Sequence, residues 1–115
     1  MGILVFTGTG SATLGPTAGY KWKILKVNGE AVGTSTADSS LAISVEGIYS
    51  PTVLLSVTTS STTTTVTATC AGTSNSDVVL EGDVFANDLS QLSIVSTPGT
   101  GGSTEWEIEV EEVIA

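Results

Sequence analysis

Apolar and polar residues alternate with a period of two along most of the chain, which predicts strands with one buried face. In Glu105–Glu111, every second residue is a glutamate and the residues between are apolar. Tyr20–Val27 starts in the same way, with apolar residues between lysines. The other segments of this kind are Leu41–Val45, Val53–Val57, Val66–Cys70, Val78–Leu80 and Leu92–Ile94. Helices are not expected, because Gly, Ser or Thr interrupts every stretch long enough to form one.

Turn signals separate these segments. Asn28-Gly29 predicts a two-residue hairpin turn that joins Tyr20–Val27 to a short strand around Ala31–Thr34. Further loops are predicted at Ser50-Pro51, Ala71–Asp77 and Thr97–Ser103.

The strands and turns together predict the fold class. About eight short strands with turns every 8–12 residues indicate an all-β chain folded as one compact antiparallel β-sandwich, with the jelly roll as one form of it. The length of 115 residues suits a single domain, residues 1–115. Within it, 1–19 is a Gly/Thr-rich N-terminal arm or edge segment and 20–115 is the body of the sandwich.

The apolar run Ile3-Leu4-Val5-Phe6 precedes the flexible sequence Gly8-Thr9-Gly10. It is either the first strand of the core or an arm that packs on a neighbouring subunit. Burying an aliphatic or aromatic side chain is worth about 1.5–3 kcal/mol, so an arm could bind well in an oligomer. The residues predicted for an interface with a neighbouring subunit are Ile3, Leu4, Val5, Phe6 and Tyr49, the last a ring in the Ser50-Pro51 loop region.

Composition excludes several classes of function. The chain has 19 Thr and 15 Ser, but only three Lys, no Arg and no His against 12 acidic residues, a net charge of −9. Without His there is no imidazole for acid–base catalysis or metal binding, and no enzyme activity or cofactor is expected. Nucleic acid is excluded as a partner, because neutralising phosphates takes clustered cations. The longest apolar run has four residues, whereas a membrane span needs about 20.

Three local motifs are candidate sites. The oxygen-bearing residues Glu81, Asp83, Asn87 and Asp88 could hold calcium, although their spacing does not match an EF-hand loop, and a solvated acidic loop is the other reading. No metal site is predicted. Cys70, the lone cysteine, has no His to activate it and is expected to be a small buried residue. Gly8-Thr9-Gly10 lacks the third glycine and the lysine of the nucleotide-binding loops.

Charge is distributed unevenly along the sequence. All three lysines lie in Lys21–Lys26, and five acids lie in Glu105–Glu112. We expect the two segments to be antiparallel neighbours, with Lys21 and Lys23 facing glutamates across the ladder at about 0.2–1 kcal/mol for each pair. The alternative is that the glutamate face docks on a basic partner.

The surface and the N-terminus indicate different compartments. Only 13% of the residues are charged against a typical 25% or so, so hydroxyl groups must cover the surface, as in many extracellular β modules and virion proteins. Met1–Phe6 has no basic region and no apolar stretch of the length of an export signal, which predicts synthesis in the host cytoplasm. A virus particle reconciles the two, because its shell proteins are made in the cytosol and work outside it.

The chain resembles the small capsid decoration (cement) proteins of tailed phages. The resemblance rests on its size, on the apolar-then-glycine start that leads into Gly15–Lys23, and on the alternating strand that closes the chain. It implies a structural protein, often a homotrimer, on the outer capsid surface, where it binds the major capsid protein and copies of itself and so stabilises the shell. A charge of −9 suits that position, because packaged DNA would repel it.

The alternative is a non-catalytic carbohydrate-binding or adhesin-type β-sandwich module of a phage fibre or cell surface. Sugar platforms need exposed aromatic rings. Tyr20, Trp22 and Trp106 are predicted on buried strand faces, which leaves Tyr49 as the ring expected to be exposed.

Overall fold

The computed structural model describes residues 2–17, 19–46, 52–60, 65–71, 79–81 and 91–114, and in these ranges the chain is all-β, as predicted. None of the described residues forms a helix that could span a membrane. The strands are β1 (Gly2–Gly8), β2 (Ala12–Leu14), β3 (Tyr20–Val32), β4 (Ser40–Glu46), β5 (Thr52–Thr58), β6 (Thr65–Ala71), β7 (Val79–Glu81), β8 (Gln91–Thr97) and β9 (Ser103–Ile114).

The described strands form two antiparallel sheets. The first sheet has the order β1-β9-β3-β6, with β7 also paired to β3, and the second has the order β2-β8-β4-β5. The pairs β4–β5, β3–β6, β2–β8 and β1–β9 nest inside one another along the chain. The chain therefore forms a ribbon of paired strands whose successive pairs alternate between the two sheets.

The core lies between the sheets and draws on both of them. Its members are almost all aliphatic, as expected for a chain with few aromatic residues. The buried core residues are Trp22, Ile24, Val27, Ala31, Leu41, Ile43, Leu54, Leu55, Val57, Leu92, Ile94, Trp106, Ile108 and Val110. Two packed sheets around one core are the β-sandwich that the strand pattern predicts.

The prediction of a hairpin turn at Asn28-Gly29 is wrong. β3 continues through both residues, which pair with β9 on one side and β6 on the other, and neither residue has a positive φ. Gly29 faces the core, where an added Cβ would lie 2.8 Å from a methyl of Leu41 and 2.9 Å from a methyl of Leu55. The glycine is therefore needed because the opposite sheet approaches closely, not because the chain turns.

A β-bulge in β3 shifts the alternation of inward and outward side chains by one residue. Trp22 and Ile24 face inward, the pairing register with β9 shifts between Ile24 and Lys26, and Val27 then faces inward. One extra residue, Leu25, thus changes which parity is buried. Because of the bulge, a strand of 13 residues keeps one apolar face over its whole length.

Trp106 has a glycine beside it on each neighbouring strand. It pairs with Gly8 on β1 and with Gly29 on β3. The indole lies over Gly8, where an added Cβ would clash with the ring, and its Nε1 donates to the Gly10 carbonyl at 2.8 Å. Gly8-Thr9-Gly10 is thus the corner at which the chain passes from the first sheet to the second, between β1 and β2.

Buried hydroxyl groups tie the loops together at one end of the sandwich. Ser39 Oγ donates to the Val32 carbonyl at 2.8 Å and accepts from the Gly99 amide at 3.0 Å. The Ser39 amide donates in turn to Thr59 Oγ1 at 2.9 Å. Here hydroxyls bond backbone groups that would otherwise be buried without partners.

Candidate interaction surface

The outward side of the first sheet carries most of the charge that the structure describes. Successive residues of a strand point to opposite faces, so the glutamates of β9 lie on the face away from the core. We call this surface the acidic face and define it by Glu30, Glu105, Glu107, Glu109 and Glu111.

The expected pairing of lysines with glutamates is confirmed in outline. β3 and β9 are antiparallel neighbours, with Lys23 opposite Glu111 and Lys26 opposite Glu109. Lys21 is the exception, because its partner on β9 is Val113. Lys26 Nζ lies 3.4 Å from Glu107 Oε1, and both side chains are about 40% exposed (40% and 42%). An ion pair as exposed as this contributes about 0.2–1 kcal/mol at most.

The other end of the acidic face has like charges in opposition. Glu30 and Glu105 are direct partners across the ladder. Beside them is a shallow depression of about 270 Å³ lined by Thr7, Asn28, Gly29, Glu30, Glu105, Trp106 and Glu107. The lining includes three glutamates, and their negative charge suits ammonium or guanidinium groups and repels anions.

β1 borders the acidic face and is uncharged. The structure separates the apolar run by parity: Leu4 and Phe6 pack against the core, whereas Ile3 and Val5 are 54% and 55% exposed. The Phe6 ring lies 5.1 Å from the ring of Trp22, centroid to centroid. Leu4 and Phe6 therefore already have partners within the chain, while Ile3 and Val5 are the apolar side chains left for another molecule.

β1 is also an edge strand. In the described part of the chain it pairs with β9 on one side and with no strand on the other. We call this second side the free edge. β5 and β6, the edge strands on the far side of the sandwich, contact one another, and β2 is only three residues long. Among the described strands, β1 contacts mainly β9, so its seven-residue free edge is not packed on another edge strand as β5 and β6 are.

The outward side of the second sheet differs in chemistry from the acidic face. Its described side chains carry no charge, and all except Gln91 are small. They are Thr13, Ser40, Ala42, Ser44, Val53, Ser56, Thr58, Gln91, Ser93, Val95 and Thr97. We call this surface the neutral face, and two of its valines, Val53 and Val95, are 62% and 51% exposed.

The aromatic residues are placed partly as expected. Trp22 and Trp106 are each 5% exposed, as predicted for buried strand faces. The prediction for Tyr20 is wrong, because this ring is 39% exposed at the first position of β3, where it pairs with the exposed Ile114 at the end of β9. Tyr49 lies outside the described residues.

The candidate ligands for calcium are not brought together by what the structure describes. Glu81 ends β7, opposite Lys21 on β3, and Asp83, Asn87 and Asp88 lie outside the described residues. Among the described residues, no group of three or more acidic or cysteine side chains is arranged to hold a metal ion. Cys70 lies in β6 opposite Val27, and its burial stays a prediction.

Comparison with known proteins adds no family: no family model matches the chain, and no curated protein matches it significantly. The function of the chain must therefore be inferred from the geometry of β1 and the acidic face.

Sequence reasoning missed the division of the apolar run into two pairs of residues. The run has no polar residue between Gly2 and Thr7 to reveal which parity is buried. The run itself signals only that both faces of this strand are apolar, which is typical of strands buried on both sides, and it does not reveal that β1 lies at an edge with one face exposed.

Proposed function

We propose that the chain is a structural, non-enzymatic virion protein that binds the outer surface of a capsid and stabilises it by bridging subunits. Its partners are the major capsid protein and copies of itself, with a homotrimer as the expected assembly. Stabilisation follows from mass action, because a protein that binds the closed shell and not the open one shifts the equilibrium toward the closed shell.

The observation that carries the proposal is the free edge of β1. A seven-residue edge without charge or proline, bearing exposed Ile3 and Val5, is the kind of edge that pairs with another chain. Monomeric proteins usually protect such edges with lysine, proline or a bulge. Most of the other described surface is acidic or covered with hydroxyls, and the exposed Val53 and Val95 belong to the second sheet, so among the described residues the free edge best supports a binding function.

The strand order supports the same proposal by analogy of fold. We infer a jelly roll with β7 as an addition, since four nested antiparallel pairs alternate between two sheets. Jelly rolls are common in viral capsid proteins, and they also occur in lectins. Fold alone does not choose between these functions.

The aromatic residues favour the structural function over the carbohydrate-binding one. A sugar platform needs flat rings at the surface, and both tryptophans are in the core. Tyr20 is the exposed ring among the described residues, and it lies at a strand end without a second exposed ring beside it.

Co-sedimentation with capsid shells of the virus that encodes the chain tests the proposal. The purified protein should pellet with the shells and raise the temperature at which they open. Absence of shell binding together with binding on a glycan array would establish the carbohydrate-binding alternative instead. Deleting β1 is not a clean control, because deletion also removes Leu4 and Phe6 from the core.

A further inference from the structure

We propose that the free edge of β1 binds an extended, lysine- or arginine-bearing segment of a partner protein, which adds a strand to the first sheet. The inference rests on the proposed function only in that the chain binds another protein. It specifies the chemistry of the partner and the way in which it docks.

The backbone of β1 supplies the first part of the recognition. In an antiparallel pair, alternate residues direct their N–H and C=O groups to one side, so the pairing with β9 leaves the groups of the other residues at the free edge. An extended segment can bond to them as peptides do when they bind by strand addition. This part is independent of the sequence of the partner.

The side chains beside the free edge supply the specificity. Ile3 is opposite Glu111, Val5 is opposite Glu109 and Thr7 is opposite Glu107 on β9. A strand added to β1 would lie two strand spacings, about 10 Å, from β9. Its outward lysines or arginines can pack their aliphatic stems on the exposed methyl groups of Ile3 and Val5 and extend their charged ends to the carboxylates beyond.

Charge argues for such a partner and against a second copy of this chain. Each copy carries a charge of −9, and β1 itself has no cation to offer the glutamates of another copy. The lysines of β3 lie on the far side of β9, and the described ion pair uses one of them, Lys26. β1 carries no cation to balance the glutamates of β9. A basic segment paired with β1 would bring positive charge to that side of β9.

The probe is a fluorescein-labelled nine-residue peptide of alternating lysine and valine, measured by fluorescence anisotropy with the full chain. We expect saturable binding that weakens as salt is raised, because the charged ends contribute. Two control peptides separate the contributions. Alternating glutamate and valine reverses the charge, and N-methylation of the backbone amides of the lysine–valine peptide removes its donors. Neither should bind.

Two double variants locate the site. Ile3→Lys/Val5→Lys places cations beside the free edge and should weaken binding of the lysine–valine peptide by about tenfold or more. Val53→Lys/Val95→Lys adds the same charge on the neutral face and should change it by less than about twofold. All four residues are more than half exposed, so both variants should unfold cooperatively near the wild-type temperature.

Three results would overturn the inference. The first is equal weakening in both double variants, which would indicate attraction by net charge alone. The second is absence of binding of the lysine–valine peptide. The third is a dimer of the chain that Ile3→Lys/Val5→Lys dissociates and the peptide does not, which would make a second copy the occupant. Shell binding measured in parallel separates this inference from the proposed function, since either can succeed without the other.

Discussion

Thr59, the residue after β5, contributes more to stability than Thr58, the last residue of that strand. Thr59 is buried and accepts a hydrogen bond from the Ser39 amide, whereas Thr58 faces solvent on the neutral face. Thr59→Val keeps the shape but leaves that amide without its partner, which should cost about 1–3 kcal/mol of unfolding free energy. Thr58→Val should change it by less than about 0.5 kcal/mol. Urea denaturation of the two variants measures the difference, and equal effects would contradict the role of Thr59.

Gly29 and Gly10 differ in the space available for a side chain. An added Cβ at Gly29 would meet the methyl groups of two core leucines, whereas one at Gly10 would meet nothing within 4 Å. Gly29→Ala should therefore lower the unfolding free energy by about 1–3 kcal/mol, the usual cost of overpacking. Gly10→Ala should stay within about 0.5 kcal/mol of the wild type in the same denaturation experiment. A neutral Gly29→Ala variant would mean that the sheets do not approach as closely as described.

Local sequence predicts the burial of the tryptophans but not the role of Gly29. Asn28-Gly29 has the local chemistry of a hairpin turn, but a strand passes through it because Gly29 gives room to Leu41 and Leu55 of the other sheet. That requirement depends on residues 12 and 26 positions away in the chain. Burial of the two tryptophans could be predicted from alternation, because each lies within a segment of clear period two.

At the scale of the element, β9 combines one attractive and one repulsive position. Glu107 pairs with Lys26, whereas Glu105 is opposite Glu30. Glu105→Gln should raise the unfolding free energy and Glu107→Gln should lower it, each by less than about 1 kcal/mol. Both effects should shrink in 1 M salt, where the screening length is about 3 Å. Thermal unfolding at low and high salt tests the signs, and effects of the same sign would contradict the described register.

The strands themselves were largely predictable, but the place of β1 in the sheet was not. Alternation indicated most of the segments that became strands, and the uneven charge indicated that β3 and β9 are neighbours. The edge position of β1 depends on pairing with residues 106–112, about a hundred positions away, and no local pattern encodes it. β2 was missed because its three residues are too few to establish a period.

At the scale of the whole molecule, the two sheets present different surfaces. The acidic face carries the described ion pair and the opposed glutamates, whereas the described side chains of the neutral face are uncharged. Composition predicted an acidic surface covered with hydroxyls. It did not predict that most of the described charge lies on the first sheet beside an uncharged edge, because that requires the order of the strands.

Hydrogen exchange of the chain, free and bound to capsid shells, shows whether the free edge of β1 is the surface that binds the shell. If the free edge of β1 is the binding surface, amides in residues 2–8 should exchange more slowly in the bound state, because edge amides become hydrogen-bonded. Residues 91–97 of β8, which pair with β4 throughout and also with β2 at Leu92–Ile94, should exchange alike in both states. Slower exchange on the second sheet with none gained at residues 2–8 would contradict the account.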